Sequence, residues 1–226
     1  MVILATVDDA EVVSPIIHFS TDEFYTGPVD LGLSVRWASC NVGASKPTEC
    51  GHYFQWGGIK DVSDTGISVD ISSAPYHTGL DIYEGWLKYN TNESFGTVDN
   101  KTVLDASDDA ASVALGGEWR MPTYGEWLEL LQGCDRQWTT LDGVCGYLLK
   151  SKIEGYKDKW IFLPLAGFRA DDVLYGMGDR GYYWSSSLDT QNPNLAYCMS
   201  FDFDSGSYEY FSSFRERGYS IRPVIK

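Results

Sequence analysis

The clearest local signal in this chain of 226 residues is the stretch Pro122-Thr-Tyr-Gly-Glu-Trp-Leu-Glu-Leu-Leu-Gln-Gly133. Thr123 is a favourable N-cap residue, and Glu126 follows three residues later, which completes a capping box. Apolar residues then recur at the i, i+3, i+4 spacing of one helix face: Trp127, Leu130 and Leu131. The pattern predicts an amphipathic helix over 124–132 that packs on the rest of the domain.

The segments before this helix contain one further short helix and much irregular chain. Asp108–Leu115 predicts a short helix that ends at a glycine pair. Residues 59–105 are polar and predict a long irregular excursion that aromatic side chains anchor to the body. Val29–Trp37 alternates apolar and polar residues and predicts a half-buried strand, and Gly51–Gly58 predicts an aromatic strand.

The segments after the helix are typical of short strands joined by turns. Lys159–Pro164 predicts a strand, Tyr197–Phe211 predicts a hairpin that turns at Ser205-Gly206, and Tyr219–Val224 predicts a closing strand. Two short helices followed by many short strands indicate an α+β domain. We expect the indole rings of the tryptophans near these elements to be core: Trp119, Trp127 and Trp184.

The hairpin carries an alternation that separates two faces. Side chains of one parity should point to the core, namely Tyr197, Met199, Phe201 and Phe203. Side chains of the other parity should point outward, namely Cys198, Ser200, Asp202 and Asp204. Residues 182–219 hold 11 aromatics in 38 positions. Most of these rings are expected to be core as well, including Tyr183, Tyr208 and Tyr210.

Charge and hydropathy exclude some partners. The formal net charge is −15, so a phosphate backbone is a poor partner, and we expect no nucleic-acid binding. No run of about 18 apolar residues occurs, so no membrane insertion is expected. The stretch Met1–Asp9 lacks the basic region of a signal peptide. Both an intracellular protein and one whose export signal is not part of this sequence remain open.

The cysteines and histidines show no pattern of a metal site. The five cysteines form no C-x-x-C pair, so neither zinc nor any other cofactor is expected. Cys134 and Cys145 could pair across a turn, and free buried thiols are an equally good alternative. Asp171, Asp172 and Asp179 could hold a structural calcium, although a solvated acidic loop explains them better.

Five motifs occur in an order that is similar to one known family. They are Val29-Asp-Leu-Gly-Leu-Ser-Val-Arg-Trp-Ala-Ser-Cys-Asn-Val-Gly-Ala44, Gly116-Gly-Glu-Trp-Arg-Met-Pro-Thr123, Phe162-Leu-Pro-Leu-Ala-Gly-Phe-Arg169, Gly181-Tyr-Tyr-Trp-Ser-Ser-Ser187 and Gly218-Tyr-Ser-Ile-Arg-Pro-Val224. Together they resemble the Fibrobacter succinogenes major paralogous domain family of gut Bacteroidota and their phages. His52 and Gly58 depart from its usual pattern, in which acidic residues are common at these positions.

This resemblance implies a fold and a class of function. The fold would be C-type-lectin-like, with two short helices and twisted antiparallel sheets. It would span residues 28–226 as a ligand-binding domain, after an N-terminal arm or edge strand at 1–27. Members of the family include proteins diversified by retroelements, whose binding face lies between the fourth and fifth motifs. The resemblance therefore implies an adhesin of the cell surface, the extracellular space or the virion surface, with a protein or glycan partner.

The candidate binding face combines the outward parity of the hairpin with the unpatterned residues of 211–216. It mixes rigid aromatic side chains with adaptable polar ones, as binding surfaces often do. The candidate residues are Asp189, Cys198, Ser200, Asp202, Glu209, Phe211, Phe214 and Arg215.

Two other function classes compete with this binding module. A calcium-dependent carbohydrate-binding lectin is the alternative that the fold suggests. Asn192-Pro193-Asn194 is only a faint match to its ligand loop, and too few calcium ligands are present. Formylglycine-generating enzymes share the fold, but they need a close cysteine pair in the C-terminal part. Only Cys198 lies there, so we expect no enzyme.

Overall fold

The computed structural model describes residues 27–64, 66–79, 81, 83–202 and 208–226. This part of the chain is α+β, as expected, with two α-helices and several small antiparallel sheets. The helices are α1 (Ala110–Leu115) and α2 (Tyr124–Gly133). The expected arm or edge strand at 1–27 lies outside the described residues except for Gly27.

The strands form three sheets of three strands and one hairpin. In chain order they are β1 (Pro28–Val29), β2 (Arg36–Ala38), β3 (Cys134–Leu141), β4 (Val144–Ser151), β5 (Trp160–Pro164), β6 (Phe168–Ala170), β7 (Val173–Tyr175), β8 (Arg180–Leu188), β9 (Leu195–Asp202), β10 (Tyr208–Phe214) and β11 (Val224–Ile225). The sheet orders are β1-β2-β11, β3-β4-β5 and β10-β9-β8, with β6 and β7 as the separate hairpin.

Helix α2 forms where the sequence predicts it. The Thr123 hydroxyl accepts from the Glu126 N–H at 3.3 Å, and the Glu126 carboxylate accepts from the Thr123 N–H at 2.7 Å. Such a cap contributes about 1 kcal/mol. Glu126 also forms an ion pair with Arg120 at 2.5 Å, which fixes the chain that enters the helix. The apolar face is buried, with Trp127, Leu130 and Leu131 each at most 3% exposed.

The sheet β10-β9-β8, called the central sheet here, separates two core clusters. On one side Tyr183, Met199 and Phe201 join the first cluster, which α2 and the strands β4 and β5 complete. On the other side Trp184 and Cys198 join the second cluster. Segments from the first half of the chain and the 219–221 region cover that side, including Phe54, Trp56, Tyr89 and Tyr219. The central sheet is therefore covered on both faces over part of its length.

The five motifs contact one another inside this core. Arg222 of the fifth motif is fully buried, and its guanidinium donates to the carbonyls of Ala38, Ser39 and Phe162 at 2.8–3.1 Å. These bonds join the fifth motif to the first and the third. The Ser186 N–H donates to the Pro122 carbonyl at 2.8 Å, which joins the fourth motif to the second. The motifs are thus structural parts of one packed unit.

The first and last predicted strands of the domain, Val29–Trp37 and Tyr219–Val224, contribute to one sheet, although the strands that pair are short. β2 pairs with β11 through Val224↔Trp37 and Ile225↔Arg36. The predicted strand at Val29–Trp37 is broken between β1 and β2, although Leu31 and Val35 are buried as the alternation requires. The strand predicted over 51–58 is wrong, because Phe54 makes only an isolated bridge with Tyr219.

Two further expectations about the core need correction, and one open alternative is decided. Trp119 is only half-buried, because it lies in the turn after α1 rather than on the packed face of an element. Tyr208 is 37% exposed on β10, the edge strand of the central sheet. Cys134 and Cys145 do not pair, since all five cysteines are free thiols. In β3 and β4 these two residues lie opposite Ser151 and Thr140 instead.

The excursion at 59–105 is irregular, as predicted, and contains 3-10 turns at Ile71–Ser73 and Glu93–Phe95. Neither α1 nor α2 is long and apolar enough to cross a membrane, and the described residues contain no other α-helix.

Candidate functional site

The register of the central sheet decides which side chains share its outer face, the face opposite α2. Tyr182 of β8 lies opposite Ser200 of β9, which lies opposite Glu209 of β10. One row further along, Arg180 lies opposite Asp202. Because side chains alternate along a strand, these residues point to the same side of the sheet as Trp184, Cys198 and Phe211.

A concave site of about 460 Å³, called the groove here, lies at the open end of this face. The described residues that line it are Arg180, Tyr182, Ser200, Phe201, Asp202, Glu209 and Phe211. They come from three adjacent strands, so hydrogen bonding within the sheet fixes their spacing. Sites on rigid strands hold their side chains more precisely than sites on loops.

An ion pair lies at one end of the groove. The Arg180 Nε lies 2.8 Å from the Asp202 Oδ2. The interaction with the Tyr182 hydroxyl and the charge of the Asp202 carboxylate raise the pKa of Arg180 above its ordinary value. This arrangement holds the guanidinium across the end of β8 and β9 while leaving its side chain 54% exposed.

Aromatic rings line the part of the groove away from this ion pair. The Tyr182 ring stacks on the buried Tyr219 ring, with 5.0 Å between centroids and 27° between planes. The Phe211 ring meets Tyr182 edge-on at 6.2 Å. Both Tyr182 and Phe211 are only partly buried, and they pack against the second core cluster. The second core cluster therefore holds both rings in place, and part of each ring remains accessible to solvent.

Four of the eight candidate residues meet in this groove: Ser200, Asp202, Glu209 and Phe211. Their role in binding stays a prediction. The other four do not belong to the exposed face, and each departs from it for a different physical reason.

Cys198 is 2% exposed, so its predicted exposure is wrong. Its side chain has the expected outward direction, but the second core cluster covers this end of the outer face. Its Sγ donates to the Phe211 carbonyl at 3.4 Å. Burial raises the pKa of the thiol well above its ordinary value, which disfavours the reactive thiolate form.

Arg215 is fully buried, so its predicted exposure is also wrong. Its guanidinium donates to the carbonyls of Tyr89 and Pro193 at 3.2 and 3.0 Å, and to that of Lys88 at 3.2 Å. It also lies 3.7 Å from the centre of the Trp86 ring and 4.8 Å from that of Trp56. Arg215 therefore fastens the 59–105 excursion to the end of β10.

Asp189 and Phe214 complete the corrections. Asp189 is 6% exposed, because its Oδ1 accepts from the N–H groups of Gln191 and Asn192 at 2.9 and 3.3 Å and stabilises a turn. Phe214 alternates with Phe211 along β10 and so points to the opposite side of the sheet. Phe203 and Asp204, whose directions the parity predicts, lie outside the described residues.

Arg180 and Tyr182 are groove residues that sequence reasoning missed. A usable pattern was present in the sequence, because Tyr182 and Trp184 alternate along β8 as Ser200 and Cys198 alternate along β9. The two pairs lie opposite each other on the same face of the sheet. Finding them required the pairing register between β8 and β9, because a bulge between Trp184 and Leu188 shifts the register along the strand.

Two other cavities are less suited to specific recognition. One of about 360 Å³ is lined by irregular segments that include Gly57, Gly58, Pro75 and Tyr76. The other, of about 170 Å³, lies beside α1 and Ser186. Neither combines charged groups with aromatic rings on paired strands as the groove does.

The described ranges contain no group of three or more His, Cys, Asp or Glu side chains arranged to hold a metal ion. Asp171, Asp172 and Asp179 therefore form no such group in the structure.

No protein-family model matches the chain, and neither a curated protein nor a solved structure matches it.

Proposed function

We propose that this chain is a non-enzymatic ligand-binding module with a C-type-lectin-like fold, and that it binds its partner through the groove. The observation that carries this proposal is the open end of the central sheet. There an ion pair, a hydroxyl, a carboxylate and two aromatic rings line one concave site on paired strands. The remainder of the same face is covered by the second core cluster.

The proposed fold draws support from the contacts among the motifs. The first and last motifs pair as β2 and β11, and Arg222 joins the third motif to both. The short helices precede most of the strands, as the resemblance implies. We therefore keep the resemblance to the Fibrobacter succinogenes major paralogous domain family as part of the proposal.

The chemistry of the groove suits recognition. Aromatic rings supply apolar contact area at a low cost in side-chain entropy, and polar groups on rigid strands supply specificity. The partner would be a protein or glycan at a cell surface, with the chain displayed extracellularly, on a cell or on a virion. A calcium-dependent lectin remains the alternative.

The experiment is a screen of the whole chain against glycan arrays and cell-surface proteins, with and without calcium. It compares the wild type with F211A and with Y83A, whose aromatic side chain is exposed outside the groove. Loss of an interface aromatic should weaken binding about tenfold or more in F211A. Thermal melting measured in parallel separates lost binding from lost folding.

Binding that F211A retains in full would refute the groove as the site. Binding that requires calcium and survives F211A would favour the lectin alternative. Equal losses in F211A and Y83A would show that the effect does not belong to the groove.

A further inference from the structure

The Glu209 carboxylate differs from the other charged groups of the groove. Asp202 forms an ion pair with Arg180, whereas Glu209 is exposed and forms no ion pair or side-chain hydrogen bond within the described part of the chain. The described residues that line the groove thus include one cation and two carboxylates, and their formal charge is negative. A ligand with a positive charge would form the ion pair that the Glu209 carboxylate lacks.

The aromatic wall favours the same kind of ligand. A cation that approaches Glu209 along β10 also approaches Phe211, which is two residues further on and on the same face. The molecule uses this contact elsewhere, since Arg136 lies 4.1 Å from the centre of the Tyr208 ring and Arg215 lies over Trp86. A planar guanidinium or an ammonium group can form an ion pair with a carboxylate and a cation–π contact with a neighbouring ring.

Long-range charge acts in the same direction. The formal net charge of −15 attracts basic partners and repels acidic ones, which raises the association rate of a basic surface. An anionic ligand would have to compete with Asp202 for Arg180. A neutral sugar could donate hydroxyl hydrogen bonds to the Glu209 carboxylate, but it would gain nothing from the long-range attraction of the net negative charge.

We infer that the groove binds a lysine or arginine side chain of a partner protein, held by Glu209 and Phe211. This inference rests on the proposed function, because it names the chemistry of the ligand at the same site. It places the partner among proteins with a basic contact surface, and it makes a glycan an alternative outcome of the test.

The test is a titration of the ¹⁵N-labelled chain followed by two-dimensional NMR. The probes are N-acetyl-arginine methylamide and its neutral citrulline counterpart, which has the same shape without the charge. N-acetyl-glutamate methylamide and a set of neutral monosaccharides complete the series. The backbone amides of Ser200, Glu209 and Phe211 report on the groove.

We expect the arginine probe to shift these amides and the citrulline and glutamate probes to leave them nearly unchanged. E209Q should weaken the arginine probe about threefold, as expected for an exposed ion pair, and added salt should do the same. The matched control E118Q removes an equal charge from an exposed glutamate that does not line the groove, and it should change little. Glu209 is exposed, so E209Q should fold like the wild type.

Equal shifts from the citrulline and arginine probes would overturn the inference, and so would equal affinities in E209Q and E118Q. The absence of any shift with the arginine probe would also overturn it. A partner from the screen that needs Phe211 but is unaffected by E209Q would refute the basic ligand while leaving the groove in place. A partner unaffected by F211A would instead refute the proposed function.

Discussion

The two ends of the outer face of the central sheet have the same strand geometry and opposite environments. At one end Trp184 and Cys198 are at most 2% exposed beneath the second core cluster. At the other end Ser200 and Glu209 line the groove, although Ser200 is only two residues from Cys198. Strand alternation sets the direction of a side chain, while the segments packed above it set its exposure.

The covered end depends on chain segments that arrive from far away in the sequence. Trp184 donates from its Nε1 to the Phe54 carbonyl at 2.8 Å, and its ring lies 4.3 Å from that of Tyr219. Arg215 and Asp108 hold the excursion that completes the cover. The open end lacks such a cover among the described residues, which is why it can act as a site.

The largest loss of stability should follow removal of a buried side chain at the covered end. W184A should destabilise the protein by about 3–5 kcal/mol, because a fully buried indole is lost and a cavity remains. W119A removes the same side chain from a half-buried turn and should cost much less. Denaturant unfolding monitored by circular dichroism measures both, and similar losses in the two variants would contradict the assignment of the covered end.

The second prediction compares the stability lost at Arg215, beneath the cover, with that lost at Arg180, in the groove. R215M should cost about 3 kcal/mol, since the buried carbonyls of Tyr89, Pro193 and Lys88 lose their donor. R180M should change stability by less than about 1 kcal/mol, because the Arg180 side chain is 54% exposed and solvent screens its ion pair with Asp202. Chemical denaturation of both variants tests this, and a larger loss in R180M would reverse the roles assigned here.

Arg215 shows what the sequence could not predict. Its position after a strand and beside Phe214 is typical of an exposed loop residue, and its actual partners lie 22 to 127 residues away. No local pattern indicates that three main-chain carbonyls of other segments surround it. Irregular segments such as 59–105 have no periodicity, so their final positions depend on contacts of this kind.

Local patterns predicted other parts well. The capping box and the i, i+3, i+4 spacing determine α2, and both depend only on neighbouring residues. The inward parity of Met199 and Phe201 is confirmed because α2 and its neighbours cover that side of the sheet. The same rule gave the outward directions of Ser200, Asp202 and Cys198 correctly, but it could not show that Cys198 is buried, because the outer face is covered there too. The C-type-lectin-like topology stays a prediction.

A third effect concerns the polar contacts that hold the cover, and it depends on pH. Burial alone would raise the pKa of Asp108, but hydrogen bonds from Lys88, Tyr89, Tyr76 and Ser107 outweigh it and lower the pKa from 3.8 to about 2. The stabilisation is therefore fully present above about pH 4 and is lost as the pH falls through 2. It amounts to about 2 kcal/mol.

D108N should accordingly lose about 2 kcal/mol at pH 7 and less at pH 2. Tyr76 and Tyr89 donate to this carboxylate at 2.7 and 2.5 Å, so the amide cannot accept all of the same bonds with equal strength. D135N, at an exposed aspartate of β3, is the control. Urea unfolding at several pH values provides the measurement, and a difference between D108N and the wild type that does not vary with pH would refute the linkage.

The last prediction compares Cys198 and Ser200, two successive outward positions of β9, and it involves the smallest change in stability. The Cys198 thiol is 2% exposed, and burial raises its pKa well above the ordinary value, so it should resist alkylation in the folded protein. S200C places a thiol two residues further along the same face, in the wall of the groove. It should change the free energy of unfolding by less than about 1 kcal/mol and react readily.

Mass spectrometry after brief iodoacetamide treatment locates the label and separates both positions from the partly exposed Cys50 and Cys145. Rapid labelling of Cys198 in the native wild type, or protection of S200C, would show that the boundary between the covered and open ends lies elsewhere.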